Sequence, residues 1–208
     1  MNSINGNKTM RDVYALIAEL WCSPPEEDAD REILCKEAEE VVRRLQSIDK
    51  ESALLLSRFL GENDIAEEDY IDLFELDPKC ALYLGSHTYD EPTTCATAAV
   101  SDRNDYMIEL GGIYSHFGRR TNGEELPDYL PLMVNFLSLT AESKDDPVRG
   151  KFINEYILPF LPPMRHRLEQ LKTPYIHLLD ALGKVISMEV GSQPLSEQRE
   201  QKVESHVG

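Results

Sequence analysis

The stretch Tyr106-Met107-Ile108-Glu109-Leu110-Gly111-Gly112-Ile113-Tyr114-Ser115-His116-Phe117-Gly118 decides how this chain is read. Among its apolar residues, those at 106, 107, 110, 113, 114 and 117 recur at spacings of three and four that mark one face of a helix. Gly118 is the residue type that ends helices. Next comes Gly123-Glu124-Glu125-Leu126-Pro127-Asp128-Tyr129-Leu130-Pro131-Leu132, an acidic turn stiffened by two prolines, and then a new apolar helical pattern over Met133, Phe136, Leu137 and Leu139. Two helices joined by a stiff turn imply side chains held in fixed places at a surface, with nothing in the turn that resembles a reaction centre.

The same periodicity extends in both directions. Thr9 is a candidate cap for a first helix carrying Met10, Val13, Tyr14, Ile17, Leu20 and Trp21, which Ser23-Pro24-Pro25 would end. Leu34, Ala38, Val41, Leu45 and Ile48 describe one face of a second helix, with Asp28 and Asp30 at its positive end. Leu54 to Leu60 forms a third pattern closed by Gly61, and Tyr70-Ile71-Asp72-Leu73-Phe74 a fourth. Pro78 is read as starting a short helical piece over Cys80 to Leu84, and Ser86 to Ser101 as a loop in which periodicity fails. Asp145-Asp146-Pro147 opens a helix that Pro159, Pro162 and Pro163 must kink or break, and Thr173-Pro174 opens the last one, on Tyr175, Leu178, Leu179, Leu182, Val185 and Ile186. With no strand alternation and no composition break, the expectation is an all-α single-domain bundle of roughly eight to ten helices over residues 1–190, with a polar, disordered tail at 191–208.

Composition narrows the function classes. Of 208 residues, 41% are hydrophobic and 28% charged, the balance of a soluble globular protein. Lys plus Arg is 21 and Asp plus Glu 38, a net charge of −17 that repels phosphate backbones and anionic lipid, so nucleic acid is not an expected partner. Cys22, Cys35, Cys80 and Cys95 form no Cys-x-x-Cys motif and read as small core residues. Residues 1–8 lack the apolar core of a signal peptide, and no apolar run approaches the ~20 residues of a membrane helix. A cytoplasmic protein with reduced thiols and no stable membrane insertion is therefore expected.

Catalytic patterns fail in turn. No phosphate-binding Gly-x-x-x-x-Gly-Lys loop, dinucleotide fingerprint or Gly-x-Ser-x-Gly elbow occurs. His87, His116, His166, His177 and His206 include no His-Glu-x-x-His pair. Glu124 and Glu125 are adjacent in a polar turn, which rarely separates two carboxyl pKa values enough for acid–base work. Asp128 reads as a helix-capping acid for the amides of the next turn. What remains suits binding rather than catalysis. Tyr83, Tyr114, Phe117 and Tyr129 offer apolar faces, Tyr with polar tips. Glu124, Glu125 and Asp128 complement arginine, while Leu126, Pro127 and Pro131 give the turn an apolar, stiff spine.

These residues also carry a family resemblance. Tyr114-x-x-Phe117-Gly118 followed by Glu125-Leu126-Pro127-Asp128-Tyr129-Leu130-Pro131-Leu132-x-x-x-Phe136-Leu137 resembles the redox-enzyme maturation chaperones of the TorD/DmsD/NarJ superfamily, in particular its nitrate reductase delta-subunit-like branch. Tyr14 to Pro25, Leu76-Asp77-Pro78 and Ala81 to Leu84 extend the likeness with more general helical patterns. Tyr129 stands where relatives often carry histidine. The resemblance implies an all-helical cytoplasmic chaperone, not an enzyme, that holds no cofactor itself. It also implies a partner, the apo catalytic subunit of a molybdenum-dependent oxidoreductase, bound at its N-terminal twin-arginine-type segment during cofactor insertion. Tyr83, Tyr114, Phe117, Glu124, Glu125, Leu126, Pro127, Asp128 and Tyr129 are the expected client-peptide site. The alternative is a non-catalytic helical adaptor or resident subunit of a redox complex, and a monomer or a domain-swapped homodimer hinged at 86–101 is compatible with either.

Overall fold

The computed structural model describes residues 2–62, 66–89 and 101–191, with side chains from residue 6 onward. Its α-helices are α1 (Asn2–Leu20), α2 (Asp28–Gln46), α3 (Lys50–Glu62), α4 (Glu67–Phe74), α5 (Asp102–His116), α6 (Leu130–Leu139), α7 (Pro147–Lys151), α8 (Leu161–Leu171) and α9 (Tyr175–Gly191), with short 3-10 turns at Leu84–His87, Ala141–Ser143 and Leu158–Phe160 and a π-helical turn at Phe152–Ile157. Among the described residues the only β-type pairing is an isolated antiparallel bridge between Tyr83 and Tyr129. The expected all-α bundle is the fold.

The layering follows from how much of each helix is apolar. In α6, Leu130, Pro131, Met133, Val134, Phe136, Leu137 and Ser138 are all buried while Asn135 and Leu139 are exposed, so all but a narrow stripe of this helix is covered. It packs mainly against α1, which in turn touches α2 and α9. The last helix, α9, lies on α3 and α8 and places Tyr175, Leu178, Leu182, Val185 and Ile186 in the core. Trp21, at the end of α1, is fully buried with its ring centroid 5.2 Å from Tyr175 and 6.1 Å from Phe74. Each such large apolar side chain contributes about 1.5–3 kcal/mol through burial.

One charged cluster sits inside this apolar frame. Arg149 has no exposed side-chain surface and donates to Glu189 through Nε (2.9 Å) and Nη2 (3.1 Å), and to the Thr140 hydroxyl. The Tyr14 hydroxyl donates to the same Glu189 carboxylate at 2.7 Å. The cluster thereby ties α1, the end of α6, α7 and α9 at one point. Burial and the neighbouring Glu189 charge raise the Tyr14 pKa well above its ordinary value.

Several local expectations need correction. Thr9 lies within α1 and does not cap it, because the helix begins at Asn2. Residues 79–83 are not helical: Cys80, Leu82 and Leu84 are buried while Ala81 and Tyr83 are half-buried, the alternation of an extended segment. Only Leu84–His87 then closes into a 3-10 turn. The proline-rich stretch after α7 does disrupt the helix, as its sequence requires. Phe152–Ile157 widens to a π-helix and Leu158–Phe160 tightens to a 3-10 turn, because Pro159 supplies no amide proton and its ring displaces the preceding carbonyls. Asp146 caps α7, accepting the Val148 amide at 2.8 Å with Pro147 in the first turn. Cys95, most of the 86–101 loop and the 192–208 tail fall outside the described residues.

Candidate functional site

The site is a seam where the extended segment before the first 3-10 turn meets the proline turn before α6. Gly118 (φ +66°) and Gly123 (φ +85°) adopt left-handed conformations that reverse the chain after α5. The turn then runs back beside residues 82–85. Leu84 donates its amide to the Asp128 carbonyl at 3.0 Å, and Leu130 donates to the Leu82 carbonyl at 2.8 Å. These two bonds are the antiparallel bridge, and they place Tyr83 and Tyr129 side by side with ring centroids 5.4 Å apart.

Asp128 holds the seam together. Its carboxylate is fully buried, and Oδ2 accepts the Gly85 amide at 2.9 Å while Oδ1 has no hydrogen-bond partner. It does not cap α6 as its position before a helix had implied. The bond requires a glycine at 85: a Cβ there would lie 2.8 Å from Asp128 Oδ2 and 3.4 Å from the Tyr106 ring. Burial raises the Asp128 pKa, against the opposing pull of the Gly85 amide and the Arg103 charge. Pro127 is fixed from the other side, because the buried Tyr114 donates its hydroxyl to the Pro127 carbonyl at 2.6 Å. The Tyr114 ring itself packs edge-on against Phe136 in the core.

Side chains named from sequence therefore divide by position. Tyr114 and Asp128 are buried supports, and Phe117 is half-buried against Phe136 at 5.4 Å. Tyr83, Glu125, Pro127 and Tyr129 are half-buried at the seam, and Glu124 and Leu126 are exposed. The Tyr83 hydroxyl donates to Glu125 Oε2 at 2.5 Å. Burial, followed by that bond and the Glu125 charge, raises the Tyr83 pKa. The Tyr129 pKa is pushed up to about 12, chiefly by burial and then by nearby Cys22 and Glu125. Both phenols stay protonated at neutral pH, so the seam offers aromatic faces, neutral hydroxyls and carboxylates.

Sequence reading missed four contributors. Gly85 is the partner of Asp128, and Cys22, Tyr70 and Glu75 lie close enough to Tyr129 to influence its titration. Leu76, which follows Glu75, is 75% exposed. Cys80 to Leu84 is apolar at every position, so its extended course had no alternation to reveal it in the sequence, and the reach of Cys22 and Tyr70 to Tyr129 had no sequence signal either, since they come from just beyond α1 and from α4. Among the described residues no group of three or more His, Cys, Asp or Glu side chains is placed to hold a metal ion, and no helix is long and apolar enough to cross a membrane.

No family model matches the chain. The nitrate reductase molybdenum cofactor assembly chaperone NarJ of Escherichia coli strain K12 is 28% identical over 163 residues, covering 76% of this chain and 64% of that protein. The NarJ of E. coli O157:H7 aligns with the same figures. The probable nitrate reductase molybdenum cofactor assembly chaperone NarW of strain K12 is 27% identical over 132 residues, 64% of this chain and 52% of its own. The chain thus spans less than two thirds of the length of the curated relatives it matches.

Proposed function

We propose, from the premise that this chain is a relative of the NarJ/TorD-like assembly chaperones, that it is a system-specific, non-catalytic cytoplasmic chaperone for a molybdoenzyme catalytic subunit. It would bind the subunit before molybdenum cofactor insertion, through the subunit's N-terminal segment. The observation that carries the role is the relationship to NarJ and NarW along most of the chain. The proposed contact surface is the seam. Its exposed part joins the paired rings of Tyr83 and Tyr129 to the carboxylates of Glu124 and Glu125 and the 48% exposed Leu126. A peptide carrying both arginine and apolar side chains matches that surface, with guanidinium groups on the glutamates and apolar groups on the rings. Buried Asp128 and Tyr114 keep the turn in shape, which reduces the ordering cost of binding.

Affinity recovery from the native organism with tagged protein, followed by metal analysis, tests the role. A catalytic subunit lacking molybdenum is the expected prey. A molybdenum-loaded enzyme would indicate a resident subunit, and absence of any molybdoenzyme would refute the reading. The surface is tested separately by Glu124→Lys/Glu125→Lys, which leaves buried Asp128 alone. Binding of the client's N-terminal peptide should weaken at least tenfold while the helical circular dichroism stays unchanged. Unaltered binding would move the client to another face.

A further inference from the structure

A second recognition surface lies between α1 and α2. The two helices border a trough of about 950 Å³ whose floor is apolar, formed by Ala15, Leu16, Leu34 and Val41, with Ile33 projecting into it at 54% exposure. The rim is acidic. Asp12, Glu19, Asp30, Glu37 and Glu40 line it, against the cations Lys36 and Arg44. Both cations are already engaged: Arg44 pairs with Asp12 at 2.7 Å and Glu40 at 3.7 Å, and Lys36 pairs with Glu32 at 2.8 Å. Glu19, Asp30 and Glu37 make no ion pair among the described residues, so the rim carries uncompensated negative charge around an exposed apolar strip.

We propose that the α1–α2 trough docks a basic amphipathic helix of a partner protein. The apolar stripe of that helix lies over Ile33 and the floor, and its Lys and Arg side chains face Glu19, Asp30 and Glu37. The length of the trough suits a helix. From Asp30 to Arg44 is 44 − 30 = 14 residues of α2, about 21 Å at 1.5 Å per residue, or about four turns of a docked helix. Both walls are helices with their backbone bonds satisfied internally, so no strand edge is offered and a helix-in-groove mode is the one available. A second copy of this chain is a poor occupant, because it would bring another −17 charges to an already negative rim. Nucleic acid and anionic lipid are repelled by the same carboxylates. None of these residues belongs to the Tyr83–Tyr129 seam, so the inference does not rest on the client surface assigned there.

The probe is a designed 14-residue peptide with a leucine stripe flanked by lysines, labelled with fluorescein and titrated against the full chain by anisotropy. Two variants alter the trough: Ile33→Glu, and Glu19→Lys/Glu37→Lys. All three side chains are exposed, so the fold should survive, as circular dichroism will verify. Glu142→Lys/Glu155→Lys, at exposed carboxylates outside both the trough and the seam, is the control, since both double reversals shift the net charge equally, from −17 to −13. The expected result is a tenfold or greater loss for each trough variant, little change for the control, and affinity that falls with added salt. Three results would overturn the proposal: equal binding of a scrambled peptide, unchanged binding by the trough variants, or an equal loss in the control, which would reduce the binding to net charge. Sedimentation showing a dimer that Ile33→Glu dissociates would overturn it too, by assigning the trough to a second copy.

Discussion

Replacing Gly85 with alanine should destabilise the protein by about 2–3 kcal/mol, and the loss should depend on Asp128. The added Cβ would sit 2.8 Å from Asp128 Oδ2 and 3.4 Å from two carbons of the Tyr106 ring. A carbon–oxygen approach below 3.0 Å cannot persist, so the carboxylate must withdraw from the Gly85 amide, now 2.9 Å away. Losing a hydrogen bond to a charged group costs about 1.5–3 kcal/mol, and overpacking a tight site costs about 1–3 kcal/mol. One displacement causes both effects, so the two ranges overlap and are not summed. Asp128→Ala vacates the space the new methyl needs. In the Asp128→Ala background the same glycine change should therefore cost less than about 0.5 kcal/mol, a coupling of at least about 1.5 kcal/mol across the cycle. Urea unfolding is convenient because Trp21 is the sole tryptophan and fully buried, so its fluorescence reports the core. If Gly85→Ala cost the same with and without Asp128, the contact would not be what selects glycine at 85, and the account of the seam would fail.

Other expectations concern the same supports. Burial raises the Asp128 pKa, so its contribution to stability is fully present below the ordinary carboxylate range and lost as pH rises through its folded value. Compared with Asp128→Asn, the native protein should gain relative stability as pH falls from 7 toward 4; a pH-independent difference between the two would contradict this. Arg149→Met should cost about 3–5 kcal/mol in denaturant titration, because Glu189, with 11% of its side chain exposed, is left with an uncompensated charge. Adding Glu189→Met should recover a large part of that loss, and no recovery would argue against the ion pair. Tyr83→Phe should cost only about 0.5–1.5 kcal/mol, the net worth of one hydrogen bond to Glu125. A larger drop in its urea midpoint would mean that this hydroxyl supports more of the turn than the single bond.

What the chain alone determines is the succession of helices. Spacings of three and four along α1, α2, α5 and α9 leave one side apolar, and burial of that side is the dominant favourable term wherever the helices meet. The helix breaks at Pro24, Gly118 and Pro159 are equally local, since they depend on a missing amide proton or on a left-handed backbone region that favours glycine. Asp146 and Pro147 open α7 by the same local rules. Tertiary structure decides whatever depends on a partner far along the chain. Cys80 to Leu84 contains residues that would accept a helix, yet it is extended because the Leu82 carbonyl and the Leu84 amide bond to the turn more than 40 residues later. Asp128 stands where an acid ordinarily caps the next helix, but its carboxylate is claimed by Gly85, 43 residues away. Local propensities differ by only about 1 kcal/mol per residue, whereas an unsatisfied buried carbonyl, amide or carboxylate costs more. Long-range bonds therefore override local preference at the seam, which is why the helices could be read one residue at a time and the site could not.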